Sequence, residues 1–208
     1  MEEVRHQFRE TLRELEAQTL GGLDMVIQQL DRALESVSYQ DVELAGMVVH
    51  DDDRIDGRYL EVHQGILSLL ARQAPVATDL RIVAALLHIL RCIERMGDQC
   101  VNIAKLVPLS GYEAPKDKDI LDAIERMGQL ARQQVAEARD AFATRNVDIA
   151  RDLLRQDAEI NRLNRAIFRR AVEVGDNTVD IAEQVVFVVT GLFREFADAS
   201  SPETAPAG

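Results

Sequence analysis

Apolar residues recur along this chain at steps of three and four, the spacing that lines up side chains on one face of an α-helix. Over residues 2–37 the stripe is Leu12, Leu15, Leu23, Val26, Ile27, Leu30, Leu34 and Val37, with Gly21 and Gly22 in its middle as a candidate bend. "SYQD" reads as a turn, and a second helix is predicted from about Asp41 to Gln73. "APVATD" breaks it and offers Thr78 or Asp79 as the cap of a third helix that ends near Leu106. "VPLSGYEAPKD" is the one clear linker, rich in Pro, Gly and Ser. Helices are then predicted over residues 119–144, 147–174 and 177–196, followed by a small polar tail, "ADASSPETAPAG", expected to be disordered.

The pattern runs twice, in register. "QDVELA" (40–45) matches "RNVDIA" (145–150), and "DDRID" (52–56) matches "DAEIN" (157–161), both at an offset of 105. "GDQCVNIAKLV" (97–107) matches "GDNTVDIAEQV" (175–185) at an offset of 78. A three-helix unit has been duplicated. The predicted fold is all-α: a first three-helix bundle over 1–107, a linker over 108–118, a shorter second bundle over 119–197 and a tail over 198–208. The two offsets differ by 27 positions, so copy two lacks a block opposite the turn and first half of the third helix of copy one. The expectation is that a stretch of chain is left out of the sequence near Gly175, carrying a Glu four residues before Asp176. Unbroken Cα spacing there would instead mark a true deletion and a non-functional second site.

Composition agrees with helices, because aromatic residues make up only 4% and Trp is absent. The five prolines, at 75, 108, 115, 202 and 206, leave the predicted helices clear. The formal charge of −12, with a pI near 4.8, disfavours nucleic acid and anionic lipid as partners and favours cations or basic surfaces. The N-terminus lacks the apolar core of a signal peptide, and the longest apolar stretches are too short to span a bilayer. Cys92 and Cys100 lie two helical turns apart, too far for a disulfide. A cytoplasmic location is expected.

The candidate chemistry is a set of carboxylate ladders. "CIERMGDQCVNIAKL" places Glu94, Asp98 and Asn102 at successive four-residue steps, one column up a helix. The preceding helix adds Asp52 and Asp56. Copy two carries Asp157 with Asn161, and Asp176 with Asp180. Like charges at i,i+4 repel, and oxygen-rich clusters on neighbouring helices suit hard or borderline cations. The plainer reading is a solvated, salt-bridged helix face, with Arg54, Arg91 or Arg95 as partners. Recurrence in both copies, apolar Leu87, Leu90 and Val101 around the first ladder, and its extension by Asn102 favour a metal ion. His50 beside "DDD", and His88 with Cys92 at i,i+4, are weaker ligand candidates. No Gly-rich phosphate loop, nucleophile elbow or Glu-x-x-His pair is present, so no enzyme is expected, and a ferritin-like metal enzyme is disfavoured.

The stretch "RQAPVATDLRIVAALLHILRCIERMGDQCVNIAKL" (72–106) closely resembles the signature of the PhoU family, accessory proteins of bacterial phosphate-specific transport, and "DDDRID" resembles its second-helix motif. Through the duplication the resemblance covers residues from about 2 to 196. It implies two pseudo-symmetric three-helix bundles, and iron or zinc held by E/D-x-x-x-D motifs. Carried onto this chain, those motifs are Asp52–Asp56 and Glu94–Asp98 in copy one and Asp176 with Asp180 in copy two. Asn161 replaces the second acid of the remaining pair. The resemblance also implies a negative regulator of phosphate-starvation signalling that links the phosphate transporter's ATPase subunit to a sensor histidine kinase. It would reach the membrane only through those partners and could form a homodimer. A structural helical scaffold without metal is the alternative.

Overall fold

A computed structural model describes residues 2–109 and 118–174. Every regular element among them is helical: α1 (Glu2–Tyr39), α2 (Val42–Arg72), α3 (Ala77–Leu106), a 3₁₀ turn (Val107–Leu109), α4 (Lys118–Thr144) and α5 (Val147–Val174). The expected sixth helix, the chain junction at Gly175, most of the linker and the tail lie outside the described residues.

α1, α2 and α3 pack against one another as the first three-helix bundle. The seam of α1 is a run of buried positions at steps of four and three, alternating except at Gly22–Val26–Leu30: Phe8, Leu12, Leu15, Thr19, Gly22, Val26, Leu30, Ala33 and Val37. Such a repeat keeps one stripe facing its partners for the whole length of a helix. Thr19 fits because its hydroxyl donates to the Leu15 carbonyl at 2.8 Å. α1 is one continuous helix through Gly21–Gly22. Gly22 is a seam residue: a Cβ there would lie 3.0 Å from Ile93 Cδ1 of α3. It serves close helix approach. The expected Thr78 or Asp79 cap is corrected. The N-cap of α3 is Val76, extended and without a side-chain hydrogen bond, directly after Pro75.

The duplication is written into the backbone. Gln40 (φ 54°) and Arg145 (φ 56°) are the two non-glycine residues with positive φ among the described residues, and they stand 105 positions apart. Each ends a helix in the same way. Asp41 N–H donates to the Ser36 carbonyl and Gln40 N–H to that of Val37; Asn146 and Arg145 repeat both bonds to Ala141 and Phe142. This is the Schellman arrangement, in which two reverse bonds satisfy the last carbonyls of a helix. The next residue caps the following helix: Asp41 Oδ1 accepts from Leu44 N–H at 2.9 Å, and Asn146 Oδ1 accepts from Asp148 and Ile149. Ile55 and Ile160, also 105 apart, are both buried.

The boundary between the copies is not a break in the core. Leu30, Leu34 and Val37 of α1 share one apolar cluster with Ile103 of α3, Met127 of α4 and Ile160 of α5. α4 runs antiparallel to α1 and is zipped to it by ion pairs: Arg132 with Asp31 at 2.8 Å, Arg139 with Asp24 at 2.7 Å, and Arg145 with Glu16 at 2.8 Å.

Candidate metal centre

The acids of copy one sit on the rim of the α2–α3 contact. Val48, Ile55 and Val62 carry the buried face of α2, and Ile93, Gly97, Cys100 and Ala104 that of α3. Asp52, Glu94 and Asn102 fall one step off those faces and are half-buried, whereas Asp56 and Asp98 are exposed. Gly97 brings the two rims together: a Cβ there would lie 3.0 Å from Asp52 Oδ1 and 3.2 Å from Ile55 Cγ2. The glycine of "GDQCVNIAKLV" therefore has a reason to precede the aspartate. It lets the α3 backbone meet the Asp52 carboxylate.

Electrostatics joins the four acids into one group. Asp52 is pushed above the ordinary carboxyl range by loss of solvent and by the charges of Asp56, Asp98 and Asp53, against a hydrogen bond from Gln29. Glu94 is raised by desolvation, then by Asp98 and Asp56, with Arg91 and Arg95 opposing. Asp98 is raised by desolvation and Asp56, with Lys105 opposing. Asp51, one residue before Asp52, is the counter-example: Arg32 Nη1 donates to its Oδ2, and that bond holds it low. Nearby cationic side chains thus leave the Asp52–Asp98 rim with a net repulsion that a bound cation would remove.

The donor set fits a hard or borderline cation, being four carboxylates with the Asn102 amide beside them. Its present geometry is a rim, not a chelate. Among the described residues no three Asp, Glu, His or Cys side chains are grouped closely enough to hold a metal ion. The Asn102 amide donates to Gln99 Oε1 at 3.3 Å. His50 and His88 are exposed, and half-buried Cys92 lines an apolar cavity of about 310 Å³ between α1, α3, α4 and α5. In copy two, Asn161 is half-buried on α5; the side chain of Asp157, and Asp176 and Asp180 entirely, lie outside the described residues.

Gln29 of α1 is the residue that sequence reading missed. It is 1% exposed, and its Nε2 donates to Asp52 Oδ1 at 3.1 Å and to the Val48 carbonyl at 3.3 Å. Its signal in the sequence was a carboxamide inside the α1 apolar stripe, answered by Gln134 at the repeat offset of 105.

Two stretches of the chain, residues 22–107 and 124–193, match the PhoU domain, the second shorter than the first. A phosphate-specific transport system accessory protein PhoU homolog of Clostridium acetobutylicum is 27% identical, over 90% of this chain and 96% of that protein. A PhoU homolog of Caulobacter vibrioides is 31% identical, over 93% of this chain and 81% of its own. The crystal structure of the phosphate transport system regulatory protein PhoU from Streptococcus pneumoniae superposes with a TM-score of 0.74 at 24% identity, covering 91% of this chain and all of that one. PhoU from Pseudomonas aeruginosa superposes equally well, over 89% of this chain. With more than half of its length matching in two copies of one domain, the chain belongs to the PhoU family.

Proposed function

We propose that this chain is a metal-binding regulatory adaptor of bacterial phosphate uptake, acting as a negative regulator between the phosphate transporter's ATPase subunit and a sensor histidine kinase. Membership of a family whose relatives are named accessory proteins of phosphate-specific transport supports the regulatory role. The mutually repelling acids of α2 and α3 carry the metal reading. Asp52, Asp56, Glu94 and Asp98, with Asn102 beside them, would hold iron or zinc in copy one. Asp157, Asp176 and Asp180 would bind more weakly in copy two. A bound metal would supply positive charge to the acids of α2 and α3. The protein's own part is to keep the acids on rigid, closely packed helices, so that loading changes the charge of one exposed rim. Such a change regulates only if transporter or kinase binds one state better than the other.

No helix among the described residues is long and apolar enough to cross a membrane, and the adaptor is proposed to work in the cytoplasm as a homodimer, reaching the membrane through its partners. Deleting the gene and measuring alkaline phosphatase in high phosphate tests the role. Derepression restored by the wild-type gene is expected, and unchanged repression would overturn the reading. A helical scaffold without metal is the second reading, favoured by the separation of the side chains as they stand. Elemental analysis of protein purified without chelator decides between them. Glu94→Ala/Asp98→Ala should lose most of the metal; equal content in both proteins would leave the scaffold.

A further inference from the structure

Gln29 poses a question that packing does not answer. It is buried in α1, where an apolar side chain would fill the same seam-side space without needing hydrogen bonds. Its Nε2 is used twice, on Asp52 Oδ1 and on the Val48 carbonyl one turn earlier. Its Oε1 is buried without a partner. A buried amide oxygen left unsatisfied costs stability, so the amide is retained for what its nitrogen does.

What the nitrogen does is fix one carboxylate. A donor on Oδ1 holds the Asp52 side chain against the Gly97 backbone and leaves Oδ2 for another ligand. Carboxylates that bind metals are commonly held this way by a hydrogen bond from behind. The duplication supplies an independent observation. Gln29 and Asp52 recur as Gln134 and Asp157, both at the offset of 105 that also relates the two helix-ending turns. Several neighbours change, Val48 to Leu153, Arg32 to Glu137 and Asp56 to Asn161, while Gln28, Ala33 and Ile55 recur as Gln133, Ala138 and Ile160. The Gln–Asp pair is kept although the residues at Val48, Arg32 and Asp56 are not.

We infer that Gln29 is a positioning residue for the metal centre, orienting Asp52 toward α3 and tying α1 to the site. The inference rests on the metal reading above. It also makes α1 a third wall of a site that the sequence presents as belonging to α2 and α3, and it places cation binding in contact with the helix that joins the two copies.

The test is a calorimetric titration of the chelator-treated full chain with Zn²⁺, comparing wild type, Gln29→Met, Gln29→Leu and Glu94→Ala/Asp98→Ala. Met keeps the length of Gln and guards against a packing failure in the Leu variant. Both Gln29 variants should bind about 10- to 100-fold more weakly at the copy-one site. Their melting temperatures in chelator should stay close to that of wild type, because removal of an unsatisfied buried oxygen offsets the lost bond to Asp52. Wild-type Zn²⁺ affinity in both Gln29 variants, with lowered chelator-state melting, would make Gln29 a packing residue and overturn the inference, while a loss confined to Glu94→Ala/Asp98→Ala would leave the metal reading intact. No Zn²⁺ binding by wild type would overturn both.

Discussion

The turn that closes α1–α2 and the turn that closes α4–α5 are the same structure, with positive φ at Gln40 and Arg145, the same two reverse hydrogen bonds, and a capping Asp41 or Asn146. The acid faces of the two copies have diverged: Asp56 has become Asn161, and no Glu precedes Asp176 by four residues as Glu94 precedes Asp98. The difference follows from how each feature is encoded. A helix end is set by half a dozen consecutive residues and stays intact if they stay intact. A ligand set needs two helices at matched height, so it is exposed to every change in the length of either one. Copy two is short in the region that would supply that second helix.

The comparison breaks most forcefully at Gly97. Gly97→Val places carbon against Asp52 Oδ1 and Ile55, neighbours already at 3.0–3.3 Å from an added Cβ. Overpacking of this kind costs about 1–3 kcal/mol, read as a lower denaturation midpoint, and should also weaken metal retention. Gly46→Ala on α2, where nothing lies within 4 Å of the new methyl, should instead stabilise by about 0.5–1 kcal/mol through helix propensity. If Gly97→Val were as stable as wild type and kept its metal, close approach of α2 and α3 would not be what builds the rim.

The turns offer a finer test, because their backbones are equal and their side chains are not. Gln40→Gly relieves a left-handed residue at the loss of one side-chain bond to the Val37 carbonyl, and should stabilise by about 0.5–1 kcal/mol. Arg145→Gly relieves the same strain but gives up the ion pair to Glu16 and the stacking over Phe142, 4.4 Å from the ring centre. Those contacts are worth a similar amount, so the net effect should be near zero. Equal gains in urea melts of both variants would show that the Arg145 contacts contribute nothing.

Much of this was legible before any coordinates. The 3- and 4-residue spacing gave α1 to α5 to within two residues, and the offset of 105 located two turns that prove identical. The ladder from Glu94 to Asn102 lies on the rim as its periodicity required. What escaped was whatever depends on a second helix. A glycine pair in isolation suggests a bend, and nothing within α1 announces that Ile93 of α3 occupies the space a side chain at Gly22 would need. The Asp31–Arg132 and Asp24–Arg139 pairs span more than a hundred residues, and no local pattern announces them. Gln29 reads as an ordinary polar interruption until Asp52 is beside it.

The smallest expected effect is the dependence of stability on pH, and it separates the rim from its neighbour Asp51. Asp52, Glu94 and Asp98 hold their protons more tightly in the folded chain than the ordinary values of 3.8 and 4.5 for Asp and Glu. Their contribution to stability is therefore complete below those values and is lost as the pH rises through their higher folded ones. Asp51, lowered from 3.8 by Arg32, works the other way: its contribution is present above 3.8 and is lost on acidification below it. Asp98→Asn removes an exposed partner in the repulsion, so the fall in melting temperature between pH 4 and pH 7 should shrink, modestly because solvent screens exposed charges. Arg32→Ala should lower stability at pH 7 and change it little only in acid strong enough to protonate Asp51 in the folded chain, below its lowered value. Zn²⁺ in excess should turn the fall into a rise for the wild-type chain, since a cation is bound by the charged acids and released when they protonate. A fall that Zn²⁺ leaves untouched while Asp98→Asn flattens it would mean that the rim repels as described and still captures no cation. That outcome would assign the acids of copy one to the scaffold.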